Sequence, residues 1–90
     1  MSIWSQISGY ALIRKDKHVS VREIIKETLG EDEVLPVVSS ENCGDKWRVD
    51  INISFCQDGE TATKRSRDFI KKIQEVSVSS DFIVEVRWVS

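Results

Sequence analysis

Trp47, Val49, Ile51, Ile53 and Phe55 alternate without interruption with Arg48, Asp50, Asn52, Ser54 and Cys56. A period of two sustained over such a run marks a strand with one face buried and one face wet. A helix would scatter the same apolar residues around its whole circumference. The stretch therefore predicts a central strand of an antiparallel sheet, with the rest of the chain covering one of its faces.

Upstream, Ile7, Gly9, Ala11 and Ile13 alternate with Ser8, Tyr10, Leu12 and Arg14, which predicts a first strand within Ile3 to Lys15. Small Gly9 and Ala11 would let helices come close, so their face is taken as the inner one, leaving Tyr10 and Leu12 on the open face. Asp16, Lys17 and His18 connect to a helix over Val21 to Leu29. Ser20 and Glu23 have the spacing of a capping box, and Val19 and Ile24 that of a hydrophobic staple. Val21, Ile24, Ile25 and Leu29 form the apolar stripe, and Gly30 is the stop.

Glu31, Asp32 and Glu33 lead into a β-branched run whose Pro36 confines it to a sheet edge. A turn-rich loop from Glu41 to Asp45, with Gly44 at positive φ, returns the chain into the opening strand. Asp58 is the expected N-cap of a second helix, with Glu60 near the positive end of its dipole. Ala62, Ser66, Phe69, Ile70, Ile73 and Val76 share one side of that helix, which runs to about Glu75. Phe82, Val84, Val86 and Trp88 then alternate with Ile83, Glu85, Arg87 and Val89 in a final strand.

The order strand, helix, strand, strand, helix, strand is the split βαβ arrangement of ferredoxin-like domains. It predicts an α+β fold, ferredoxin-like βαββαβ, as a single compact domain over residues 1–90. Right-handed crossovers place both helices on one face of a four-stranded antiparallel sheet. The first and third strands are then central, the second and fourth are edges, and Trp47 and Trp88 belong to the core.

Ninety residues with 40% apolar composition support one modest core. A net charge of −2 argues against a general nucleic-acid or membrane-surface binder. No run is apolar and long enough to span a bilayer, and no secretory leader is evident. Cys43 and Cys56 are separated by the long strand, about 30 Å at strand rise, beyond the roughly 7 Å a disulfide allows. Unpaired cysteines fit a reducing compartment, and the expected location is cytoplasmic.

One histidine and two distant cysteines offer no metal-ligand spacing. The glycines are scattered singly, so no phosphate loop exists, and no cofactor is implied. His18 lacks a nucleophile and an orienting acid nearby. Asp50, on the open face, is read as a partner of Arg48 or Arg87 rather than a general base. The topology invites comparison with the RNA-recognition motif, which stacks bases on third-strand aromatics. Here the third strand shows Arg48, Asp50, Asn52 and Ser54 on its open face, so that reading fails and nucleic acid is not an expected partner.

Two surfaces remain. Charge is segregated: Glu27 to Asp45 carries six acids and no base, and Lys64 to Lys72 carries five bases against Asp68 alone. Arg14, Lys15, Lys17 and His18, together with Lys71 and Lys72, form a basic end suited to a nucleotide or other phosphorylated ligand. The open sheet face presents Tyr10, Leu12, Ile83 and Val89, with Trp4 as a further anchor for a protein partner or a second copy. The expectation is a non-catalytic interaction module that occludes a partner protein. In size and charge it resembles small inhibitors and immunity proteins of bacteria and phages. The alternative is a phosphorylated small ligand held at the basic end.

Overall fold

The computed structural model describes the backbone of residues 2–30, 34–57 and 59–89, and the side chains of 4–30, 36–56 and 60–86. The elements follow the predicted order: β1 (Ser2–Arg14), a 3-10 turn (Lys15–Lys17), α1 (Val21–Leu29), β2 (Val34–Cys43), β3 (Lys46–Gln57), α2 (Gly59–Val76) and β4 (Ser79–Val89). The sheet order is β2-β3-β1-β4, antiparallel throughout, with two helices on one face. This is the ferredoxin-like arrangement, with β1 and β3 central.

The alternation in β3 has its expected cause. Val49, Ile51, Ile53 and Phe55 are buried against Ile7, Ala11 and Ile13 of β1, and Leu29, Phe69 and Ile73 close the core from the helices. The Ser20 hydroxyl accepts the Glu23 N–H at 3.4 Å, capping α1. The other end is sealed twice: Gly30, at φ 80, donates its N–H to the Lys26 carbonyl, and the Arg65 guanidinium donates to the Leu29 carbonyl at 3.0 Å. Arg65, one of the five clustered bases, is thus part of the scaffold.

Three expectations change. β2 runs on to Cys43, so the hairpin turns in two residues, Gly44 (φ 70) and Asp45, rather than in a five-residue loop. Trp47 is not core: it is 40% exposed, and the Lys15 ammonium covers its ring at 4.5 Å. Gly9 makes room for a strand, not a helix. A Cβ there would overlap the Asp81 carbonyl oxygen and stand 2.8 Å from the Phe82 ring. Phe82 lies in that slot and meets Phe69 edge-on, ring centroids 5.9 Å apart, clamping β4 to α2. The expected cap at Asp58, the acids Glu31 to Glu33 and the side chains of Trp88 and Val89 lie outside the described residues.

Candidate functional site

The open face is less apolar than its sequence implies. β1 brings Trp4, Tyr10 and Leu12 to that face, and Ile83 of β4 joins them opposite Ser8. Tyr10 and Leu12 are only half-exposed, and the Arg48 guanidinium covers the Tyr10 ring at 4.7 Å while pairing with Asp50 at 3.5 Å. Between Trp4 and Tyr10 runs a polar belt in which the Gln6 amide donates to Asn52 at 3.1 Å. Among the described residues, this polar belt separates Trp4 from Tyr10 and Leu12. Val89 belongs to the undescribed side chains.

The basic end is assembled only in part. Arg14, Lys15 and His18 line a 300 Å³ hollow with Trp47, Val21 and Arg22. Two of its charges are already engaged: Arg14 pairs with Asp16 at 2.9 Å, and Lys15 donates to Asn42 while covering Trp47. Lys17 and His18 are exposed, His18 in the left-handed region at φ 51. Lys71 does not join them, because it faces a different cavity on the other side of α2, and Lys72 lines neither.

That second cavity is the feature sequence reading missed. It is a groove of about 450 Å³ between α2 and β4, with Ala62, Ile70, Val84 and Val86 forming its apolar surface. Val84 and Val86 point to the helix side, as alternation requires, yet they are 40% and 54% exposed. The cause lies in α2. The inward positions of its first half are small Ala62 and Ser66, and β1 sets Ser5 across from them, so nothing fills the space above β4. Phe69 restores full packing one turn later. Arg67 and Lys71, a turn apart, stand at the groove, and among the described residues no carboxylate lines it.

The same strand is exposed on its other face and along its edge. Ile83 is 63% exposed, and β4 pairs only with β1, so its outer N–H and C=O groups have no strand beside them among the described residues. Such an edge invites strand addition unless it is defended. β2, the other edge, carries Pro36, and its helix-side Val38 is half-buried against the core.

Little in the described residues points to bond-making chemistry. Among the described residues, no group of three His, Cys, Asp or Glu is placed to hold a metal ion and no helix is long and apolar enough to cross a membrane, and Cys43 and Cys56 are free thiols. Asp45 has a displaced carboxyl. The Lys46 ammonium, donating at 3.0 Å in the exposed hairpin turn, holds it below the ordinary range.

No protein-family model matches the sequence, and no curated protein resembles it. Among solved structures, the de novo designed protein Foldit4 shares the fold over 100% of both chains, with a TM-score of 0.56 and 18% identity. A tripeptidase from Staphylococcus aureus subsp. aureus Mu50 aligns with 99% of this chain and 30% of its own, at a TM-score of 0.39 and 10% identity. The first likeness is one of architecture alone. The second carries no argument.

Proposed function

We propose that this chain is a non-catalytic protein-interaction module that works by covering a partner protein, and that its binding element is the free edge of β4. The observation that carries this reading is a single strand with Ile83 exposed on one face, Val84 and Val86 exposed on the other, and an unpaired backbone edge between them. Main-chain pairing along such an edge supplies affinity, and the alternating side-chain sites supply selectivity. The open face contributes less than its sequence implies, since Arg48 and the Gln6–Asn52 belt hold it polar.

Affinity capture from host extract with three baits tests the reading: the wild type, Ile83→Lys with Val86→Lys, and Tyr10→Ala with Leu12→Ala. A partner kept by the open-face variant and lost by the β4 variant supports it; the reverse pattern moves the site to the open face. A second copy paired along β4 is one form of partner. Sedimentation at micromolar concentration that shows only a 10.3 kDa species removes that form.

A further inference from the structure

A strand laid along β4 turns every second side chain toward the helix layer. Those side chains enter the groove between α2 and β4, so its lining states what they must be. Val84 and Val86, with Ile70 across from them, demand apolar contact over most of the surface. Arg67 and Lys71 add two cations with no acid among the described lining residues to answer them.

Deeper in, the lining carries a third signal. Ser5 and Ser66 are 2% and 6% exposed, and neither hydroxyl has a hydrogen-bond partner among the described residues. Buried polar groups are nearly always satisfied, and an unpaired one is costly. A purely apolar guest would seal both hydroxyls away from water without a partner. A guest with an acceptor placed beside Ser66 would satisfy that hydroxyl and face the cations of the same helix, and would leave Ser5 to water in the floor of the groove.

Resting on the strand-addition reading, we propose that β4 accepts an acidic amphipathic strand. One of its inward positions is a glutamate whose carboxylate pairs with Arg67 and Lys71 and accepts from the Ser66 hydroxyl on the helix above. The inward positions on either side are apolar and cover Val84 and Val86. Because the chain as a whole is acidic, at −2, its long-range field does not favour such a guest. Preference for an acid therefore reports the local cations and the Ser66 hydroxyl.

Three blocked nine-residue peptides of alternating valine and threonine test this, with the central valine replaced by glutamate, glutamine or lysine. Each is titrated into ¹⁵N-labelled wild type and into Arg67→Glu with Lys71→Glu, two exposed positions, with the variant's amide spectrum as the check that its fold is kept. The glutamate peptide binds the wild type about tenfold more tightly than the lysine peptide, with glutamine between them, and shifts amides of β4 and α2. In the charge-reversed variant the order inverts. Equal binding of all three at β4 overturns the acidic preference and leaves strand addition standing. No shift along β4 with any of the three overturns strand addition itself. Dodecanoate shifting the groove amides where the peptides do not assigns the groove to a small amphiphile and overturns both.

Discussion

β2 and β4 are the two edges of one sheet, ten and eleven residues long, and they meet solvent on different terms. β2 exposes Val37, but Pro36 removes a donor from its ladder, Val38 is tucked against the core, and Glu41 adds a charge near its end. Proline and charge are common means of keeping an edge from recruiting other chains. β4 carries charge too, at exposed Asp81 and Glu85, but it has no proline and shows three exposed aliphatic side chains on its two faces. The difference traces to the helix layer more than to the strands. Above β4, the first half of α2 offers only Ala62 and Ser66. An edge stays open where the layer above it is made of small residues.

The contrast can be broken most severely at the clamp that seats β4. Phe69 is fully buried and holds Phe82 edge-on, so Phe69→Ala is expected to cost about 3–5 kcal/mol, enough to unfold a domain of this size. A denaturant midpoint barely changed would mean that β4 is held by its ladder alone. Gly9→Ala comes next, at about 1–3 kcal/mol, because the new methyl meets β4 backbone rather than a yielding side chain. Native-state hydrogen exchange should show β4 amides accelerated well beyond those of β2.

Val86→Lys separates binding from stability. Being 54% exposed, it should shift stability by no more than about 0.5 kcal/mol while abolishing partner capture. A large loss of stability would show that the side chain is core after all. The smallest effect belongs to the β2 side, at its hairpin turn. Asp45, lowered by the Lys46 hydrogen bond and charge, contributes stability above the ordinary carboxylate range that is lost as pH falls through and below that range. Lys46→Ala should raise the Asp45 titration midpoint toward the usual value, read by NMR, with little change in the melting temperature.

Most of the architecture was legible because each signal was local and periodic. The Trp47–Phe55 alternation, the Ser20 cap, the Gly30 stop and Pro36 at an edge each state their element without help from the rest of the chain. The site was harder to read. Alternation says that Val84 and Val86 face the helices; it does not say that a helix is there to meet them. The missing clue was in another element, in the smallness of Ala62 and Ser66 beside Phe69, and it gains meaning only once Ser5 is known to lie across from them. Trp47 and Gly9 failed for the same reason. Burial and close approach depend on which element arrives from a distance, here Lys15 over one and Phe82 over the other.

The pairing of β1 with β4 also orders events in time. Its register joins Ser2 to Val89 and Leu12 to Ser79, the most distant partners in the sequence, whereas β2 and β3 meet through a two-residue turn. Closing the larger loop costs more chain entropy, so the hairpin can form early and β4 must dock late. Until it does, β1 is itself an edge, and the slot over Gly9 stands open to any strand that reaches it first. During synthesis and refolding, the sheet's vulnerable border is therefore β1, and it becomes β4 only when folding is complete.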